Sequence, residues 1–121
     1  MNSSRSRSPS YTFGDVVLIA FPFVEDARVK KRPALVLLDT GDDDILVARI
    51  TTRLYRSPYD VKLAEWQAAG LLAPSVVRLH KLATLEKEIV ERTLGKITAT
   101  DSKNVRKALN VICKAWGTSS S

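Results

Sequence analysis

Only one stretch of this chain, from Asp101 to Gly117, carries the periodicity of a long helix; everything before it comes as short apolar runs broken by turns. In that stretch Val105, Ala108, Leu109, Ile112 and Trp116 stand at i, i+3, i+4, i+7 and i+11, one stripe of an α-helix, and Lys103, Arg106, Lys107 and Lys114 fall off it. Asp101 is the expected N-cap and Gly117 the expected stop. Upstream, residues 15–23 (DVVLIAFPF) form a continuous β-branched and aromatic run that Pro22 brings to an end, the pattern of a buried strand. Residues 34–38 and 45–50 flank the cluster Gly41-Asp42-Asp43-Asp44, which predicts a hairpin. Residues 59–63 alternate, residues 64–73 contain Gly70 and suggest one or two helical turns, and residues 76–85 are strand-like again. A last strand is expected over residues 92–99, with a bulge at Gly95 where Leu94 and Ile97 change face. Five or six short strands followed by one helix predict a mainly β fold with a C-terminal helix, a strongly curved antiparallel sheet or small barrel.

The chain has 121 residues, room for one domain, which we place at residues 11–117. Residues 1–10 (MNSSRSRSPS) and 118–121 lack apolar spacing and are expected to be disordered tails. The longest uninterrupted apolar run, residues 16–24, is nine residues and holds a proline, against the roughly 20 needed to cross a bilayer. No secretory signal pattern follows the N-terminus, and Cys113 is the single cysteine, so no internal disulfide can form and a reducing cytoplasm is the expected location. On a helical apolar face such a thiol is expected to be a small buried hydrophobe. Nineteen Lys and Arg against 13 Asp and Glu give a formal charge of +6, which favours nucleic acid or an acidic protein as partner.

Known chemical signatures are few. There is no phosphate-cradling glycine motif, no zinc-spaced Cys/His set and no nucleophile elbow. Asp42-Asp43-Asp44 offers hard oxygens for Mg²⁺, but successive residues of a tight turn point apart, so a solvated turn is expected and no metal or cofactor is assigned. His80, the single histidine, is a candidate general base beside Arg78 and Lys81, or an ordinary half-exposed strand residue. Arg32-Pro33 is more informative. Pro33 suits the start of a strand and biases Arg32 to an extended conformation at the mouth of the charged loop over residues 24–31. There its guanidinium either grips a phosphate or is a solvated arginine flanked by Lys30 and Lys31. Antiparallel pairing across the hairpin brings residues 32–34 opposite residues 51–53, so Arg32 shares one sheet end with Thr51 and Thr52.

Gly14-Asp15-Val16-Val17, Arg32-Pro33-Ala34-Leu35-Val36-Leu37, Ile50-Thr51-Thr52, and Pro74-Ser75-Val76-Val77-Arg78-Leu79 with Lys81-Leu82 and Thr84-Leu85 follow in an order and spacing that resembles the MazF/PemK family of toxin endoribonucleases, from about Tyr11 to Trp116. The resemblance implies an SH3-like barrel, a homodimer, an acidic antitoxin protein as partner, and metal-independent cleavage of single-stranded mRNA. It also implies Arg32 and Thr51 as the catalytic pair, with Thr52 adjacent. Lys30, Lys31, Thr52, Arg53, Ser75, Arg78 and Lys81 are the expected RNA contacts. Residues 24–31 depart from the glycine- and glutamine-containing loop of many members, with Glu25 or Asp26 as the nearest acid, and His80-Lys81 stand where many have a Glu-Gln pair. The same barrel occurs in CcdB-like toxins that poison gyrase by protein contact, and a non-catalytic nucleic-acid-binding autoregulator is a further alternative.

Overall fold

The computed structural model describes residues 9–22 and 29–117; the end segments and residues 23–28, with Glu25 and Asp26, lie outside the described residues. Six strands and one helix follow in order: β1 (Asp15–Pro22), β2 (Val29–Asp39), β3 (Asp44–Thr51), β4 (Asp60–Lys62), β5 (Val76–Glu86), β6 (Val90–Lys96) and α1 (Ala99–Gly117), with a 3₁₀ turn Lys87–Ile89 between β5 and β6. The strands form one sheet in the order β4-β5-β3-β2-β1-β6, antiparallel at every pairing. The sheet is mostly β with one C-terminal helix, as expected, and among the described residues β4 and β6 are left as its edges.

Irregular register bends the sheet. On β5, Arg78 pairs with Arg49 but the next partner, opposite Ala48, is Leu82, so residues 79–81 are extra to the ladder. β4 pairs with residues 76–78 only. On β6, Val16 pairs with Gly95 and Val17 with Thr93, which leaves Leu94 extra and sets the bulge where the face change predicts one. Each such break bends and twists its strand.

β1 reads as an unbroken apolar run because both of its faces are buried. Val16, Leu35, Ala48, Ile50, Val77 and Leu79 face α1 and meet Val105, Ala108 and Ile112. Val17, Ile19, Ala34, Val36, Ile45 and Val47 form a second, smaller cluster. The helical stripe fails only at its end: Trp116 is 72% exposed, one turn beyond Ile112. Cys113 is exposed, not buried, because it stands beside the stripe.

Asp101 is not the helix cap. The Thr98 hydroxyl accepts the Asp101 N–H at 3.3 Å, and Asp101, fully buried, turns its carboxylate away from α1 to accept the N–H groups of Ala64 and Glu65, each at 2.9 Å. The segment after β4 is accordingly a set of hydrogen-bonded turns, Ala69 and Leu71 N–H to the Trp66 carbonyl and Gly70 N–H to that of Gln67, with no helix. An orphan donor pair of one element is satisfied by an acid from another.

β2 starts at Val29, five residues before the expected start at Ala34, so Lys30, Lys31 and Arg32 are strand residues and not loop. At its far end Asp39 accepts the Gly41 N–H and the Tyr11 N–H, each at 2.8 Å, and pairs with Lys87 at 3.0 Å with both side chains nearly buried. Burial pushes the Asp39 carboxyl up, but these hydrogen bonds and the ammonium charge outweigh it and hold the pKa below the ordinary value. The carboxylate therefore stabilises the fold above the unfolded-state pKa, and this contribution drains away as pH falls through the folded value. Lys87→Met is expected to cost about 2–3 kcal/mol at pH 7 by leaving the carboxylate without its cation. The difference from wild type should shrink towards pH 3 in urea titrations; a gap independent of pH would refute the pairing as its cause.

Candidate nucleic-acid interface

Arg32 stands opposite Ile19 on β1 and Pro33 opposite Leu18. Across the hairpin Ala34 pairs with Arg49 and Val36 with Val47. The expected register was two residues off, since it set residue 51 opposite residue 34. Pro33, which has no N–H to give, comes just past the last β2–β3 pair. Opposed residues share a face, so Arg32, Ala34, Arg49 and Thr51 lie on one side of the sheet, and Arg32 and Thr51 both stand two residues beyond the last pair, at the same end. The structure thus keeps the expected juxtaposition of Arg32 with Thr51 despite the register change.

A groove of about 490 Å³ opens on this face. Its floor is apolar, Ala34, Val47, Leu82, Ala83 and Leu85, and its rim is Arg32, Arg49 and Lys81, with no carboxylate among the lining residues. Arg32, Arg49 and Lys81 are exposed. Arg49 was missed from sequence because it sits inside an apolar run; its place two residues before Thr51, on the same strand face, was the available signal. Lys81 reaches the rim from the extra residues of β5.

The other candidates divide. Thr51 is half-buried and its Oγ1 accepts the Arg53 N–H at 3.1 Å, which leaves the hydroxyl hydrogen for an outside acceptor. Thr52 and Arg53 are exposed in the loop that follows, where Arg53 Nη1 lies 3.3 Å from the Tyr55 hydroxyl. Lys30 shares the parity of Arg32 and is exposed; Lys31 has the opposite parity and pairs with Glu91 at 2.9 Å. Ser75 does not fit the expected RNA contact: it is 1% exposed and its hydroxyl donates to the Ala73 carbonyl at 2.8 Å.

Arg78 is tied into the fold. Its Nε donates to Asp60 Oδ1 at 2.9 Å, its guanidinium lies 3.5 Å from the Tyr55 ring centre, and Nη2 is 3.3 Å from His80 Nε2. Burial pushes the Asp60 carboxyl up, yet the Arg78 hydrogen bond, the nearby Ser57 hydroxyl and the guanidinium charge bring it below the ordinary value. His80 is exposed and lines a different groove, with Tyr59, Leu82, Ile112 and Trp116, so nothing places it beside Arg32 as a base. At the hairpin tip Asp42 accepts the Asp44 N–H at 3.0 Å and the Thr40 hydroxyl at 2.7 Å, and no group of three metal-binding side chains occurs among the described residues.

A guanidinium-rimmed groove without acids is built for a polyanion, and its apolar floor suits flat, uncharged groups between the phosphates. A family model described as the PemK-like, MazF-like toxin of type II toxin-antitoxin systems matches residues 12–113. The chain belongs to this family. The fold of this MazF-like toxin is also that of solved structures. An endoribonuclease from a Mycobacterial species superposes with a TM-score of 0.69 at 18% identity, covering 88% of this chain and 94% of that one. The Mycobacterium tuberculosis toxin MazF-mt6 gives 0.67 at 22% identity, over 83% and 96%. MazF of a MazE-MazF structure from Deinococcus radiodurans gives 0.67 at 21%, over 87% and 96%. No curated protein sequence matches the chain. No helix among the described residues is long and apolar enough to cross a membrane.

Proposed function

We propose that this MazF-like toxin is a sequence-selective endoribonuclease that cuts single-stranded mRNA without a metal ion, at the sheet end shared by Arg32 and Thr51. The observation that carries the reading is the acid-free groove in which Arg32 and Arg49 stand on the same strand face as Thr51. RNA supplies its own nucleophile. The ribose 2′-oxygen attacks the neighbouring phosphorus, the bond to the 5′-oxygen breaks, the 2′-hydroxyl proton passes to water, and the leaving oxygen takes up a proton. Products are a 2′,3′-cyclic phosphate and a 5′-hydroxyl.

Arg32 binds the phosphoryl oxygens and stabilises the charge that develops on them, and Thr51 orients the phosphate or the 2′-hydroxyl by donating a hydrogen bond. Arg49 and Lys81 hold the flanking phosphates. A named relative of this fold is an endoribonuclease in complex with its cognate antitoxin, covering 86% of this chain at 18% identity. By the same reasoning an acidic antitoxin segment fits the cationic groove here and blocks Arg32. A homodimer is supported by the large apolar side chains that α1 leaves exposed, Val111 and Trp116.

Incubation of the protein with long single-stranded RNA in EDTA, followed by end analysis, tests the reading. Discrete cuts ending in cyclic phosphate are expected. Intact RNA with salt-dependent binding would instead leave a non-catalytic nucleic-acid binder. Arg49→Ala is expected to raise KM about tenfold with little change in kcat and to lower the salt slope of RNA binding by about one, since it removes one phosphate contact.

A further inference from the structure

On the other flank of Thr51 lies a second groove, of about 300 Å³, between the β3–β4 loop and the β4–β5 pair. Register places it beside the candidate catalytic Thr51: Val76 pairs with Thr51 on one side and with Lys62 on the other, and both Val76 and Lys62 line the groove. Tyr55 forms one wall, 36% exposed, with the Arg78 guanidinium stacked on its ring. Lys62 and Arg56 bring positive charge to the groove. Asp60 lines it as well, and its Oδ2 is, among the described residues, the one buried side-chain polar atom without a hydrogen-bond partner. Oδ1 is held by Arg78, so the carboxylate is fixed in place with one acceptor unspent. A buried acceptor left without a donor costs stability, which a ligand donor would recover.

We propose that this groove is a nucleobase subsite that prefers an amino-bearing base, cytosine over uracil, next to the cleaved phosphate. The inference rests on the RNA-cleavage reading above for the identity of the strand. An aromatic ring backed by a guanidinium is a stacking surface for an unpaired base, and the volume exceeds that of a single base ring. The selectivity comes from Asp60: a fixed carboxylate oxygen accepts the N4 amino group of cytosine and repels the O4 carbonyl of uracil at the same position. The Asp60 side chain is 2% exposed and Oδ2 is buried, so a base amino group reaches it only as the groove opens around the inserted base. The charge of Asp60 is balanced by Arg78, and the cations of the groove keep it open to an anionic strand.

Equilibrium binding of 2′-O-methyl pentamers of cytidine and of uridine, which cannot be cut, reads the subsite apart from catalysis. The wild type is expected to bind the cytidine pentamer about tenfold more tightly. Asp60→Asn leaves a carbonyl oxygen for Arg78 and presents an amide N–H₂ in place of the free acceptor, so the preference should vanish or invert towards uridine. Tyr55→Leu, a change at a half-exposed ring, should weaken both pentamers several-fold, with thermal melting read beside it to show that the variant is still folded. Equal binding of the two pentamers by wild type, unchanged discrimination in Asp60→Asn, or unchanged affinity in Tyr55→Leu would each overturn the proposal. Should wild type discriminate yet leave long RNA uncut, the cleavage reading fails and the subsite stands.

Discussion

Arg32→Ala is expected to lower kcat for RNA cleavage by about 10²–10³-fold, the usual cost of removing one charge-stabilising donor from a preorganised site. The loss should appear in kcat more than in KM, because Arg49 and Lys81 remain on the groove rim to hold the strand. Stability should not change measurably. Arg32 is exposed, and its side chain makes no hydrogen bond or ion pair among the described residues, so the variant removes function without removing packing. Arg32→Lys is the sharper version. It keeps the charge but not the planar pair of donors, so it should recover binding and little of the rate. Equal rates for wild type and Arg32→Ala in single-turnover assays would remove Arg32 from the chemistry. An equal loss in KM alone would make it one more phosphate contact.

The hairpin, the Gly95 bulge and the C-terminal helix were legible because each is written in local pattern: turn residues between apolar runs, a change of face parity, a 3.6 period. What escaped depended on contacts far along the chain. The charged start of β2 looks like loop, yet Lys30 and Lys31 pair with Phe21 and Ala20 through their backbones, and an exposed strand needs no apolar side chains to do so. Asp101 has the chemistry of a cap, but a pair of unsatisfied N–H groups at Ala64 and Glu65 took its carboxylate, and Thr98 capped the helix instead. The hairpin register missed by two, one residue at the turn, where Asp39 pairs with Ile45, and one where the ladder skips between Val36 and Leu38. The site tolerated that error. A shift by an even number of residues preserves which face a side chain occupies, so Arg32 and Thr51 stayed together, and Arg49 could have been found by the same parity. Arg78 and Ser75 were the opposite case. Their polarity suggested contact with a ligand, and only the structure shows one locked to Asp60 and Tyr55 and the other buried against a carbonyl.

Gly70→Ala should be the most damaging small change to the fold, at about 3 kcal/mol. Gly70 has φ +85°, the left-handed region, where an alanine costs roughly 1–2 kcal/mol. A Cβ there would also run into the backbone carbonyl of Leu94, on the β6 bulge, and overpacking against a rigid neighbour adds roughly 1–3 kcal/mol. The crowding is mutual, since a Cβ on Gly95 would stand 2.6 Å from the Ala69 carbonyl oxygen. The turn after β4 and the β6 bulge therefore touch backbone to backbone, and two glycines far apart in sequence are one contact in space. Gly41 separates the two causes. Its φ is +92°, but a Cβ there would meet nothing within 4 Å, so Gly41→Ala should show the conformational cost alone, about 1–2 kcal/mol. Chemical denaturation of the two variants beside wild type measures both. Should Gly70→Ala prove no less stable than Gly41→Ala, the close approach at Leu94 is not rigid, and the turn held by Asp101 can move away from β6 at little cost.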